Sequence, residues 1–320
     1  METGEGSITT NIGAVRNTGI ELGLNLGVIR NKNFTWDVNL AFARNWSKIT
    51  ELPNGDDVSN NWFIGERLNV LRDYTSAGII TTDGITMRTK DGDRHYTLQE
   101  VYDTFGPGGQ GLKWYEGQMA VNDWNNDGKI NDEDKQIFGC TDPKWTGSLS
   151  STMTYKGFDF SFMLYTKQGQ WSRSYFHEQY MNYGDRGRQK VNFDYYIPAG
   201  TPVLDKNTGD VTYLSEAHIG KYPYPNNTEK TGGGYFSSSS AAVRYHKTSF
   251  VKVKNITLGC TFPKAWLSKI AVKHLRLYVN VINPFCFTDY EGFDPEWASA
   301  NLTNGGPASV TYQIGANIKF

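Results

Sequence analysis

The chain has 320 residues, with 32 Lys and Arg against 33 Asp and Glu and a formal net charge of -1. No stretch concentrates cations, which excludes sequence-independent nucleic-acid binding and offers no polybasic segment to a membrane surface. Only 38% of the residues are hydrophobic, and no run approaches the roughly 18–20 apolar residues of a spanning helix, so a helical membrane protein is excluded as well. The 14% of aromatic residues must therefore be placed by some regular pattern other than a greasy helix.

The first residues, Met1–Gly6, carry neither the basic stretch nor the apolar core of a signal peptide. Beyond them Ile20, Leu22, Leu24, Leu26 and Val28 occupy every even position of Gly19–Val28. A period of two puts them on one face of a strand, with Glu21 and Asn25 on the other. Phe34 to Trp46 repeats the pattern: Phe34, Trp36, Val38, Leu40, Phe42 and Trp46 share a face, and Arg44 alone breaks the apolar series. Further strands are predicted over Trp145–Tyr155, Phe158–Thr166, Phe250–Phe262, Leu275–Ile282 and Val310–Phe320, seven in all. Within Phe250–Phe262 the apolar set shifts from Val251 and Val253 to Ile256, Leu258 and Phe262, which predicts a bulge near Lys254–Asn255.

The connections distinguish a soluble sandwich from a barrel. Short turns (Ile29–Asn33, Lys156–Gly157, Pro263–His274) alternate with long loops at about 47–144, 168–249 and 283–309. Strict alternation gathers every long loop at one end, as in outer-membrane barrels with short periplasmic turns, and a sandwich gives no reason for it. The expected fold class is all-β: a partial transmembrane antiparallel β-barrel with long extracellular loops. Phe34, Trp36, Tyr155 and Phe158 then form a girdle beside the turns, and Trp46 and Trp145 one at the loop ends. An open edge in hydrocarbon leaves backbone groups unpaired at several kcal/mol each. Seven strands are therefore expected to be part of a larger barrel, whose remaining strands and signal peptide precede Met1. The chain finishes on Phe320, in the apolar series of Val310, Tyr312, Ile314, Ala316 and Ile318. That is the pattern of the assembly signal of bacterial outer-membrane proteins.

The strongest chemical motif lies in the first long loop. From Asp123 to Asp134, oxygen ligands fall at positions 1, 3 and 5 (Asp123, Asn125, Asp127), Gly128 makes the turn, Lys129 offers its carbonyl and Asp134 occupies position 12. This is the EF-hand calcium spacing, with Asp in place of the usual bidentate Glu, and it makes a structural Ca2+ a candidate cofactor. An Asx-rich hydrophilic turn that needs no ion accounts for the same residues. In the second loop a dense set of aromatics runs from Trp171 to Phe236. They are expected to pack the loop itself, with stacking on sugar rings as the alternative, and Ser172–Lys190 is the plausible helix there. Cys140, Cys260 and Cys286 show no metal or disulfide spacing. Catalysis finds no support: His95, His177, His218, His246 and His274 are scattered, and no nucleophile or phosphate-loop motif is present.

Taken in order, several segments resemble one known family. They are Arg16–Glu21, the Asp123–Asp134 loop with Ile137–Gly139 and Pro143–Gly147, Phe250–Gly259 with Pro263, Leu277–Asn280 with Asn283–Phe285, Tyr290–Glu296 and the terminal Phe320. The chain is similar along its length to the C-terminal part of the SusC/RagA group of TonB-linked outer-membrane proteins of Bacteroidota. The resemblance implies a barrel of about 22 strands, of which residues 1–320 supply roughly the last third, with the plug domain and TonB box upstream. It further implies a non-enzymatic importer of oligosaccharides or peptides in the Gram-negative outer membrane. The implied partners are a SusD-like lipoprotein lid, the TonB–ExbB–ExbD system reached through the N-terminal parts, the barrel-assembly machinery and outer-membrane lipid. Cys260 departs from the family pattern, where an aromatic is expected, and no substrate-binding residue is identified. The rival is a soluble or surface-attached all-β glycan-binding module. The two differ in whether Ile20, Leu22, Leu24 and Leu26 face outward or pack into a closed core.

Overall fold

The computed structural model describes residues 13–106, 115–180, 194–205, 207–224, 244–268, 271–299 and 309–320. Seven strands, β1 (Ala14–Arg30), β2 (Phe34–Glu51), β3 (Trp145–Tyr155), β4 (Phe158–Gln168), β5 (Phe250–Thr261), β6 (His274–Phe287) and β7 (Thr311–Lys319), form one sheet in chain order. Every neighbouring pair is antiparallel. The fold class expected from the alternation is borne out.

Register follows from the alternation. Antiparallel partners directly opposite each other share a face. The pairings Leu24↔Leu40↔Leu149↔Leu164↔Val253↔Phe285 therefore carry one apolar line across six strands. A second runs through Trp36, Met153, Phe160, Leu258, Val279 and Ile314. The same side chains that would form a core in a sandwich are open here: Ile20, Leu22, Leu24 and Leu26 are 59, 51, 40 and 45% exposed. Ser151, a polar residue within this belt, is 3% exposed and is satisfied: it accepts a hydrogen bond from the indole N–H of Trp36 at 3.0 Å.

The expected bulge is present and resolves to Lys254. Met163 faces Asn255 and Leu164 faces Val253, so Lys254 has no partner on β4. β6 answers with an extra residue of its own: Val253 pairs with Phe285 and Asn255 with Ile282, and Asn283 takes a left-handed φ of 53° ahead of Pro284. Proline lacks a ladder N–H and is tolerated at such an irregularity. This lets β6 continue to Phe287, beyond the Ile282 end read from the apolar alternation.

β1 and β2 also outrun their apolar segments, at 17 and 18 residues. Pairing there continues through Arg16, Asn17 and Thr18, because the ladder is made by backbone groups whatever the side chains are. The long connections accordingly span 52–144, 169–249 and 288–310. The short turn between β3 and β4 has both central residues at positive φ, Lys156 at 45° and Gly157 at 92°. That is the type I′ geometry matched to strand twist.

The first loop folds upon itself. A hairpin (Ile85–Thr89 with Gly92–Tyr96) and a helix (Leu98–Phe105) enclose Ile80, Met87, Tyr96, Val101, Phe105, Tyr115, Val121 and Ile130, all nearly or fully buried. The helix begins at a capping box in which Thr97 and Glu100 satisfy each other's backbone N–H groups. In the second loop Trp171–Arg173 pairs with Tyr245–Lys247, and a helix covers Tyr175–Tyr180. The expected Ser172–Lys190 helix therefore starts later than its spacing suggests, because Ser172 and Arg173 pair as strand; residues 181–190, Tyr183 among them, lie outside the described residues, as do Tyr235 and Phe236. The expected aromatic packing is present where it can be seen: Phe176, Tyr196 and Tyr222 are buried, and Tyr196 joins Ile79 and Met119 of the first loop in a shared core.

Candidate functional site

The face opposite the apolar belt is polar and hydrogen-bonded across strands. Thr257 donates to Asn280 Oδ1 at 3.0 Å, and Asn280 donates onward to Gln313 Oε1 at 3.0 Å. Arg276 and Asp159 form a two-point ion pair across β4 and β6, with Nε to Oδ1 at 2.9 Å. Gly315, opposite Tyr278, leaves the space that the Tyr278 ring fills. A sheet apolar on one face and polar on the other, with its long loops at one end, is suited to hydrocarbon outside and a solute path inside.

The loops are fastened over the polar face by two clusters. The first is ionic. Lys252, on the polar face opposite Tyr165, is 2% exposed, and its Nζ lies 3.0 and 2.8 Å from the two Asp294 oxygens and 2.6 Å from Glu296 Oε2. Lys254 reaches the same Glu296 at 2.8 and 2.7 Å. The bulge brings this about, since the unpaired Lys254 is released from the ladder and can turn toward the loop beside Lys252. Asp294 also caps the short turn of helix Pro295–Trp297 by accepting from Glu296 N at 2.9 Å. Burial alone would raise the Glu296 carboxyl, but the two lysines hold it below the usual carboxylate range.

The second cluster is a sealed knot between the second and third loops. Ser174 Oγ lies 2.6 Å from His177 Nδ1 and 2.6 Å from Tyr290 Oη, and His177 Nε2 lies 3.3 Å from Tyr222 Oη. The rings of His177 and His246 stack at 3.6 Å. Tyr222 donates to Glu291, which also accepts from Lys221 at 2.8 Å. Burial, and secondarily His246, lower the His177 pKa to about 3. Burial raises Tyr195 to about 12 and raises Tyr222 further, Glu291 adding to the latter. The histidines that look scattered in sequence are thus partly gathered. A serine beside a histidine could suggest a nucleophile and base, but Ser174 and His177 are both fully buried and aligned with tyrosines, so the arrangement serves packing.

The structure places the expected ion-binding residues on one loop with distinct roles. Asp123 and Asp134 are fully buried, whereas Asp127 and Lys129 are exposed. Asp123 accepts from Asp127 N at 3.2 Å and Gly128 N at 2.9 Å. Asn125 Oδ1 accepts from Asp127 N, and Asp134 accepts from Asn125 N at 3.3 Å and Asn131 N at 2.8 Å. Asp127 turns to Lys129 N at 2.8 Å. Burial raises the Asp134 pKa, opposed by its backbone donors and assisted by the charge of Asp123. Among the described residues no three His, Cys, Asp or Glu side chains already converge as a metal-binding set. Phe320 follows β7 and is 76% exposed.

Two polar recesses lie at the loop end. One, about 490 Å³, is bounded by Asn17, Asn45, Ser47 and Thr146 of the wall and by Arg67 and Asp142 of the first loop. The other, about 470 Å³, is set into the first loop and lined by Thr75, Arg88, Asp93, Asn122, Trp124 and Gln136. Neither was legible in the sequence, because their residues come from segments tens of positions apart with no common spacing.

An antiparallel meander with a continuous lipid-type face, a hydrogen-bonded polar face and loops at one end is a section of transmembrane β-barrel wall. No family model matches the chain. Curated relatives do match it along its length: the TonB-dependent receptor SusC of Bacteroides thetaiotaomicron is 28% identical over 315 residues, covering 98% of this chain and 27% of that protein. A TonB-dependent receptor of Formosa agariphila is 27% identical over 349 residues, covering 100% of this chain and 32% of the relative. Among solved structures, the RagAB peptide transporter superposes with a TM-score of 0.58 at 18% identity over 97% of this chain and 30% of that one. The RagAB peptide importer in its open-open state gives 0.57 at 19% identity, over 96% of this chain and 29% of that one. The likeness to TonB-dependent receptors of the SusC/RagA kind read from the sequence is borne out, and the chain spans about 30% of the length of the proteins it matches.

Proposed function

We propose that this chain supplies barrel wall and extracellular loops to a SusC/RagA-like TonB-dependent importer in the Gram-negative outer membrane, taking up oligosaccharides or peptides under a SusD-like lipoprotein lid. The observation that carries this is the apolar belt running across the sheet opposite a hydrogen-bonded polar face. A soluble glycan-binding module would bury Ile20, Leu22, Leu24 and Leu26, and their exposure argues against it. The role is transport rather than catalysis, with the plug and the coupling to TonB–ExbB–ExbD contributed by N-terminal parts. The loop-end recesses offer amide, hydroxyl and charged groups with one indole, a set that serves sugar hydroxyls and peptide groups alike. Phe320 is assigned to recognition by the barrel-assembly machinery, which its exposure supports.

Cysteine labelling tests the membrane assignment. With the native cysteines replaced, Leu24→Cys in cell envelopes should react only with a lipid-soluble maleimide and Asn25→Cys with a water-soluble one. Equal aqueous labelling at both positions overturns the assignment. Uptake of fluorescent oligosaccharides and peptides by cells with and without the gene separates the two cargo classes.

A structural Ca2+ in the Asp123–Asp134 loop forms part of the same proposal. Its support is the ligand spacing and the burial of Asp123 and Asp134 side by side, a pairing of like charges that a divalent cation would relieve. Asp127 would have to turn from Lys129 N toward the ion. Calcium should slow proteolysis of the first loop in the native protein and leave the Asp127→Ala variant unaffected. If chelation changes neither protein, the ion is not bound.

A further inference from the structure

The apolar face of β2 is interrupted once between Phe34 and Trp46, by Arg44. The register shows that this is not an isolated irregularity. Ile20 faces Arg44, Thr18 faces Trp46 and Arg16 faces Lys48, in an unbroken ladder with Leu22↔Phe42 and Leu24↔Leu40. Arg16, Arg44 and Lys48 therefore point to the lipid side, and all three are exposed. Cations far apart in sequence become one patch only through strand pairing, which is why no polybasic segment is visible in the sequence.

Their height is informative. Arg44 lies ten residues beyond Phe34, the girdle residue at the turn end. At about 3.4 Å per residue and a tilt of about 40°, that is about 26 Å above it, where the apolar band of an outer-membrane barrel, about 25 Å tall, runs out. Arg16 and Lys48 stand about 10 Å higher, in the head-group layer. Among the described residues none of the three forms an ion pair, and like charges directly opposite, as Arg16 and Lys48 are, weaken a strand pair unless an anion lies between them. Arg44 lies over the Trp46 ring at 4.7 Å, a stacking contact that still leaves guanidinium N–H groups free to donate to an anion.

We propose that Arg16, Arg44 and Lys48, framed by Trp46, bind the phosphate of an outer-leaflet glycolipid and so hold one lipid at this face of the wall. The occupant is set by charge complementarity and by continuity with the lipid-facing belt: a phosphate on an acyl-chain-bearing molecule meets the cations while its chains cover Leu22, Leu24 and Phe42. Arginine matches phosphate geometry with two parallel donors, and the indole beside it suits the boundary between chains and head groups. The proposal rests on the outer-membrane assignment above.

The experiment uses the protein extracted from cell membranes, exchanged in detergent against an equimolar mixture of monophosphorylated lipid A and its dephosphorylated form, with retained lipid counted by native mass spectrometry. The native protein should retain the phosphorylated form at least tenfold in excess. The combined Arg16→Gln, Arg44→Gln and Lys48→Gln variant, its sheet content checked by circular dichroism, should fall to near parity. Arg44→Lys, which keeps the charge but loses the two parallel donors, should keep only part of the preference, and Lys32→Gln with Lys156→Gln at the turn end all of it. Equal retention of both lipids by the native protein, or an undiminished preference in the triple variant, overturns the proposal. So does displacement of the lipid by millimolar inorganic phosphate, which would mark a site for the free anion. A chain absent from the membrane fraction removes the outer-membrane assignment along with this one, whereas a membrane-inserted chain without the preference removes this one alone.

Discussion

Replacing Lys252 by Met should release the third loop from the wall. The Lys252 Nζ is held by both Asp294 oxygens and by Glu296, and Lys252 and Asp294 are only 2 and 7% exposed. Removing one partner of a buried ion pair costs about 3–5 kcal/mol, because the other charge stays behind in a poorly solvated place. Lys254, 29% exposed, still neutralises Glu296, so the orphan is Asp294 and the low end, about 3 kcal/mol, is expected. That corresponds to an increase of about 150-fold in the population with the loop open. Adding Asp294→Asn removes the orphan charge and should recover most of the loss, as pairs replaced together are often near neutral. The readout is the rate of proteolysis within 288–299 on membrane-embedded protein, with hydrogen exchange at the Trp297 amide, which bonds to Asp294 O at 3.0 Å, as a second measure. Cleavage of Lys252→Met within about threefold of the native rate would refute the clamp. The pH dependence gives an internal check. Glu296 is held below its ordinary value, so its contribution is complete above the ordinary glutamate range, near pH 4.3, and is lost as pH falls through the lower folded value. The native loop should therefore loosen only in acid.

Leu24→Arg should lower stability toward urea in lipid by about 2–4 kcal/mol, since Leu24 lies about 16 Å above the turn girdle, inside the apolar band. Asn25→Arg, on the polar face, should cost little, and equal losses would mean that the faces are misassigned. Trp36→Phe keeps the ring but strips Ser151 of its donor within the belt, at about 1–2 kcal/mol. The loss should disappear in the Trp36→Phe, Ser151→Ala pair, and a loss that persists there would put the cost in packing. His177, held down to about 3 by burial and then by His246, should remain neutral at pH 5 by NMR. Because an unfolded histidine takes a proton near 6.5, the second-loop core should be fully stable above that pH and weaken progressively toward pH 3. A midpoint above pH 5 in the folded protein would show that His177 is solvated.

The wall was legible because its rule is local. Every second residue is apolar from Ile20 to Val28 and again from Phe34 to Phe42, and a period of two needs no knowledge of distant partners. The failures occur where the apolar pattern and the backbone ladder part company. β1 and β2 continue to pair through Arg16 and Lys48 without an apolar face to announce it, and β6 passes Asn283–Pro284 because its partner is bulged at the same level. The loop clusters were opaque for the opposite reason. Ser174, Tyr222, His246 and Tyr290 come from four separate stretches of two loops, and only closure of the loops over one another brings them within hydrogen-bond or ring contact.

Lys254 belongs to both categories and explains how they connect. A shift of the apolar set near Lys254–Asn255 is visible in sequence as a fault in alternation, and a fault in a membrane strand carries a cost because it leaves a backbone group without a partner. The irregularity is matched by one in β6, and the residue it frees carries a charge that reaches a loop acid 42 positions away, beside Lys252 doing the same. Ladder regularity is thus exchanged for an ionic anchor at the level where the wall meets its loops. Deleting Lys254 should restore regular pairing with β4 while removing that anchor. A deletion variant that gained stability in the sheet yet exposed the Tyr290–Trp297 segment to protease would separate the two effects, and one that kept the segment protected would show that Lys252 alone suffices.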